Sequence, residues 1–335
     1  MKATITLAGA VYIYPDGPTM PDYFVTFRPD GSANFHLGTL LLDDPAAMSY
    51  SLPINDARVR HLGPHHVTIT DDNGAVGFDA DIAAHYWNSE WNYLPVNSMT
   101  IKRQPDDLVA ANFIFPFGDT GNAINALPSD TYKGPGDIAG LVAYEPTTGE
   151  RPEIGWVTDA EAEFMLGGSE GPMLADAQGG NTFPVFFRDE RTGKPIDLTK
   201  YPTANCADQP NLQGIPYLDK GPKASDGYPT YGGGLTPQEA HRPSIAYVAC
   251  LATMNPVYLR ELQYNANFAL VSNAYLSSQL GLATITGERR AIAWGLRDLF
   301  MAHATTKDFE ARGALPDDCM PSSYFKTLLD QSLAY

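Results

Sequence analysis

Over the first 125 residues apolar and polar positions alternate in short runs, the period of a strand; beyond about residue 156 they recur at three- and four-residue steps, the period of a helix. In the first part "YFVTFRPDGSANFHL" (23–37) sets two alternating runs on either side of Asp30-Gly31. "HHVTITDDNGAVGFDADI" (65–82) repeats the arrangement around Asn73-Gly74, the strongest short hairpin signal. "LVAANFIFPFG" (108–118) reads as a further apolar strand bounded by turn residues. Several short strands with frequent turns predict an antiparallel β-sandwich over residues 1–125. Residues 126–155, rich in Pro, Gly and Thr, predict a linker.

The second part, residues 156–335, predicts a helical domain. "VTDAEAEFMLGG" (157–168) has a cap candidate in Thr158 or Asp159, acids in its first turn and two glycines at its end. "HRPSIAYVACLATMNPVYLRELQYNANFAL" (241–270) reads as two helices joined at one corner, where Asn255 can cap and Pro256 can take the first helical position. Leu259, Leu262, Ala266, Ala269 and Asn273 then form one mostly apolar face. In "TGERRAIAWGLRDLFMAHA" (286–304) the core side is expected at Ile292, Leu296 and Leu299, and "PSSYFKTLLDQSL" (321–333) closes the chain. Between the 157–168 helix and the 241–270 pair, residues 179–236 form a long loop too aromatic for a disordered tether, with Tyr201, Tyr217, Tyr228 and Tyr231, and are expected to be an ordered cover. The fold class is α+β and multidomain.

Charge narrows the partners. The 335 residues carry a formal net charge of −17, with 18 acidic and 7 basic residues in 1–150 and 21 and 15 in the remainder. Such a surface repels phosphate backbones, so nucleic acid is not an expected partner. No apolar run reaches the roughly 20 residues of a membrane span. The start, "MKATITL", alternates like a strand and reads as mature sequence without a recognisable signal peptide. Cys206, Cys250 and Cys319 lie far apart without a CxxC pair and suggest neither a disulfide framework nor a zinc site.

The stretches "SIAYVACLATMNPVYLRELQYNANF" and "RRAIAWGLRDLFMAHA" resemble the helical hairpins of α/α-toroid carbohydrate-active proteins, in which a short apolar helix, a T-x-[ND]-P corner and a long helix recur around a ring. The chain resembles in particular a poorly characterised group of bacterial and phage-encoded proteins that join an N-terminal β-domain to such a helical domain. "AHYWNSEWNYLPVNSMTIKR" (84–103) is similar to the aromatic segment that links the two parts there. Roughly four to six helices of ordinary length fit the second part, so the ring would be incomplete. The resemblance implies a polysaccharide ligand, lyase- or glycosidase-type chemistry, and an extracellular or virion-associated setting. The alternative is a non-catalytic structural or host-recognition component of a phage virion, with homo-oligomer or virion assembly partners.

Arg290, Trp294 and Arg297 stand at steps of four and three and share one side of a helix. An indole between two guanidiniums suits a carboxylated sugar, by stacking and bidentate pairing; the bland alternative is a packing stripe. With Tyr264 and His241 to move protons, Arg290 to neutralise the carboxylate, and Trp294, Arg297, Asn267, Tyr247 and Tyr231 to hold the sugar, β-elimination would need no metal or cofactor. Asp159, Glu161, Glu163 and Glu239 are the carboxylates a hydrolase would draw on, although the helix dipole explains first-turn acids as well. "GGSEG" (167–171) matches G-x-S-x-G but follows a helix pattern rather than a strand and is set aside. His61, His65, His66 and His85 lack acids at ligand spacing and read as turn and strand histidines.

Overall fold

A computed structural model of the chain describes the eight strands and one short helix between residues 4 and 110. After these it describes residues 138–142, 145–146, 154–180, 183, 185, 194–202, 204, 237–272, 283–285 and 287–334. In the N-terminal part β1 (Thr4–Gly9), β5 (His65–Thr70) and β6 (Val76–Ile82) form one antiparallel sheet in the order β1-β5-β6. A second antiparallel sheet has the order β2-β3-β8, from β2 (Asp22–Phe27), β3 (Ala33–Gly38) and β8 (Glu90–Tyr93), and β4 (His61–Leu62) pairs β7 (His85–Tyr86). Both predicted hairpins are present: Phe27 pairs Ala33 around Asp30-Gly31, and Thr70 pairs Val76 around Asn73-Gly74. The strand expected over residues 108–118 is not there at its start, because α1 (Pro105–Ala110) takes Leu108 and Val109. Pro105 opens that helix and Asp106 and Asp107 sit in its first turn, a start signal that outweighs the apolar run behind it.

The C-terminal part is an all-helical bundle of six helices among the described residues. They are α2 (Asp159–Met165), α3 (Gly171–Gly180), α4 (Tyr247–Thr253), α5 (Pro256–Val271), α6 (Arg289–Ala311) and α7 (Ser322–Ala334). Local chemistry sets their ends. Thr158 caps α2 in a reciprocal capping box with Glu161, and Gly167 adopts φ +111 just past its end. Asn255 accepts from the Val257 N–H at 3.1 Å and Pro256 follows in the first turn of α5. Met254, between α4 and α5, takes the left-handed conformation, with φ 51, and makes the corner.

Helix α5 is the axis of the bundle. Residues Val257 to Val271 are all buried, so the helix is wrapped on every side rather than along one face. Its polar residues are absorbed by neighbours. Gln263 bonds the Met320 backbone in both directions and Thr306, Asn267 donates to the Ile196 carbonyl, and Tyr258 accepts from Gln178. Part of the 179–236 stretch belongs to this core, since Phe183, Val185, Ile196, Leu198 and Ala204 pack with α5, α6 and α7. At the end of α3, Gly180 lies against Ile245 and the Glu261 carboxylate, where a Cβ would collide with both. β8 runs beside α5.

Helix α6 buries Leu299 as expected and packs Ile292 at the edge of the core, but its buried side extends away from the expected one. The core takes Ala291, Gly295, Asp298, Leu299, Ala302, Thr305 and Phe309, while Ile292 and Leu296 are half-buried. Small residues let α6 close on its neighbours, as where Gly295 receives Ile285. The buried side is thus turned by roughly a quarter of the helix from the one that large apolar residues mark.

Candidate functional site

The segment leading into α4 sends two consecutive side chains to different environments. Arg242 goes inward. Its Nη1 donates to Glu145 Oε1 at 2.7 Å, its Nε donates to Asn265 Oδ1 at 3.0 Å, and its guanidinium lies 4.6 Å from the centre of the Phe183 ring. Glu145 uses its other oxygen to accept the Gln238 N–H at 2.7 Å. Arg242 and Glu145 are each 1% exposed. Such a pair survives burial because each charge is matched by directed hydrogen bonds; either one alone would be a large penalty.

His241 turns the other way and meets α6. Arg290 Nη1 and His241 Nε2 are 2.8 Å apart. Arginine has only protons to give, so the ring nitrogen accepts and the imidazole is neutral in this contact. Arg290 is exposed, and this contact with His241 engages one of its donors. One turn along, the half-buried Trp294 covers the Arg297 guanidinium at 4.7 Å, and its indole N–H meets no acceptor among the described residues. Arg297 is buried and fully engaged: it donates to Asp298 at 2.8 Å, to the Gly155 carbonyl at 2.5 Å and to the Arg242 carbonyl at 2.9 Å. By holding Gly155 it also fixes Trp156, whose ring rests on Phe300 at 5.9 Å. Arg297 thus links Trp294 to the Trp156–Phe300 pair, with Arg290 one turn before Trp294 on the same helix.

Beneath this edge lies Glu161. It is fully buried and accepts from the Thr158 N–H at 3.1 Å and the Val248 N–H at 2.9 Å, joining the first turns of α2 and α4. Burial pushes its carboxyl up to about 8 despite those two donors and the nearby Arg297, with Asp176 adding to the rise. Tyr247 beside it is pushed up to about 12, first by burial and then by Glu161.

The residues expected to act together part company here. His241 and Arg290 do meet, and Trp294 and Arg297 stack as a unit. Arg297, however, spends its donors on the backbone and on Asp298, so its role is to position Trp294 and Trp156. Tyr264 is wholly enclosed in the core, and Asn267 is tied to Ile196 and to the Tyr324 hydroxyl. Their helix has no face to present to a groove, which removes the physical basis for proton transfer by Tyr264 and sugar contact by Asn267. Tyr247 is buried with a phenol harder to ionise than usual, the opposite of what a base requires. Tyr231 lies outside the described residues, as do Cys206, Tyr217 and Tyr228.

Reasoning along the sequence missed two clusters. Arg242 was masked as the residue after His241, though an arginine before proline at a helix entry is a signal of an anchored corner. On the β1-β5-β6 sheet, His66 lies between Asp79 and Asp81 at 2.8 Å from each, and Thr68 donates to Asp79 at 2.8 Å. Hydrogen bonds to Asp81 and then Asp79 raise the imidazole above its ordinary range. Folding the Asn73-Gly74 hairpin on paper brings His66 opposite Asp81 and Thr68 opposite Asp79, which spacing along the chain conceals. Among the described residues no three His, Cys, Asp or Glu side chains converge for a metal ion, and no helix is long and apolar enough to cross a membrane. No protein-family model, curated protein or solved structure matches this chain.

Proposed function

We propose that the chain binds an acidic polysaccharide, as a recognition module of a phage or bacterial surface, through the edge of α6 that carries Arg290 and Trp294. In this reading the N-terminal strands build a β-sandwich, and the six helices form a bundle around α5 that takes its ligand on an outer edge rather than in a central hollow. One observation carries it: an exposed arginine, held by His241 at 2.8 Å, stands one turn from an indole backed by a second guanidinium at 4.7 Å. An arginine fixed before the ligand arrives loses less rotamer freedom on binding, and its remaining N–H groups can take a carboxylate. The indole offers a flat apolar surface to a sugar ring. Binding without cleavage fits best, since Tyr264 and Tyr247 are enclosed and His241 Nε2 is engaged by Arg290.

The test is calorimetry against a panel of uronate polysaccharides, with ultraviolet absorbance of the unsaturated product followed in parallel. Binding of at least one polymer, weakened tenfold or more by Arg290→Ala, with no absorbance change, is the expected result. An absorbance rise would replace the binding module by a lyase, and a panel with no binder would end the proposal. A second reading, a structural component of a virion, is favoured by the filled interior around α5. It is distinguished by a stable oligomer in sedimentation velocity together with no glycan binding.

A further inference from the structure

We propose that Trp156 and Phe300 form a stacking platform for a second sugar of the same chain, so that the site takes an oligosaccharide laid along α6 rather than a single uronate. This rests on the reading of Arg290 as the carboxylate contact. Among the described residues the large apolar side chains left exposed are Trp156, Leu166, Phe300 and Leu333, and Trp156 and Phe300, each 43% exposed, are the two that touch each other. Their rings are tilted at 45° and 5.9 Å apart, and each side chain keeps nearly half of its surface exposed.

The pair is continuous with the Arg290 contact. On α6, Arg290, Ala293, Arg297 and Phe300 follow one another at steps of three, four and three, so they form one ridge. Ala293 is exposed and small, Arg297 is buried beneath, and Trp294 flanks them. A shallow floor therefore runs from Arg290 to the aromatic pair over ten residues, about 15 Å of helix, longer than one sugar ring. The floor is cationic at one end and aromatic at the other, as a chain of acidic pyranoses requires: a carboxylate for Arg290, then the apolar face of a neighbouring ring for Trp156 and Phe300. A protein partner would find only two aromatic side chains here, beside a charged arginine and an alanine, too little apolar area for a stable interface. Arg297 ties the platform to the clamp, because the same guanidinium that backs Trp294 holds the Gly155 carbonyl next to Trp156.

The experiment is calorimetry of the whole chain with oligogalacturonides of one to six residues. Affinity is expected to rise at least tenfold between the monomer and the trimer or tetramer. Trp156→Ala and Phe300→Ala should each remove most of that increment while the far-ultraviolet circular dichroism of the wild type is kept, whereas Arg290→Ala should weaken every length. Affinity that does not depend on length, or an increment that survives both aromatic substitutions, overturns the platform while leaving Arg290 as the carboxylate contact. Absence of binding at every length overturns both. Concentration-dependent self-association abolished by Trp156→Ala would assign the pair to contacts between copies of the chain and also overturn the platform.

Discussion

Glu161 shows how one buried group couples the helical part to pH. In the unfolded chain its carboxyl ionises near its ordinary 4.5, and in the folded chain at about 8. Between these values the unfolded chain has lost a proton that the folded chain keeps. The stability associated with Glu161 is therefore present in full below pH 4.5 and is lost as pH rises to about 8, by on the order of a kcal/mol for each pH unit of that window. Asp298, whose carboxyl burial also raises, acts in the same direction. Urea denaturation of the wild type at pH 5, 6.5 and 8 should show a falling midpoint, and Glu161→Gln should flatten the fall; parallel slopes in the two proteins would show that Glu161 is not the coupled group. Arg242 makes the complementary case. Removing it strands Glu145 in the interior, and Arg242→Ala is expected to destabilise by about 3–5 kcal/mol, whereas the double change Arg242→Met with Glu145→Gln should recover most of the loss. If the double variant is no better than the single one, the loss comes from packing on Phe183 rather than from the orphaned charge.

Among the elements, what the sequence makes legible is local and what it conceals is mutual. Caps, corners and hairpin turns depend on neighbouring residues, so Thr158, the Asn255-Pro256 corner and Asn73-Gly74 could be read directly. The surroundings of α5 could not. Gln263, Asn265 and Asn267 are polar and point to different sides of the helix, yet all three are buried, with partners in Met320, Arg242 and Ile196, each supplied by another segment. Helix α5 is the filled centre of the bundle, so the proposed site is left to the outer edge of α6, where His241 meets Arg290 and Tyr264 does not reach. The core side of α6 escaped for a related reason: close approach favours Ala291, Gly295 and Ala302, which carry little hydrophobic signal. Close approach also predicts that Gly180 is intolerant. Gly180→Ala places a methyl group against Ile245 and Glu261, and should cost about 1–3 kcal/mol, seen as a melting temperature lowered by several degrees. An unchanged melting temperature would mean that α3 can shift away from α5 freely.

For the molecule as a whole, the proposed ligand has the same sign as the protein. A chain with net charge −17 repels a polyuronate at long range, and the attraction at Arg290 acts only over a short distance. The two ranges respond differently to salt. At 10 mM ionic strength the screening length is about 30 Å and the repulsion of the whole surface is felt; near 0.15 M it is about 8 Å and mainly the local contact remains. Added salt should therefore speed association of an acidic oligosaccharide several-fold while also hastening dissociation, because the Arg290–carboxylate contact is itself weakened. A neutral oligosaccharide of equal length, bound through the aromatic pair alone, should show an association rate indifferent to salt. Surface plasmon resonance from 10 to 150 mM salt separates the two rates. A slower association on adding salt would mean that a local positive field around Arg289, Arg290 and Arg297 reaches beyond the molecular surface and outweighs the net charge.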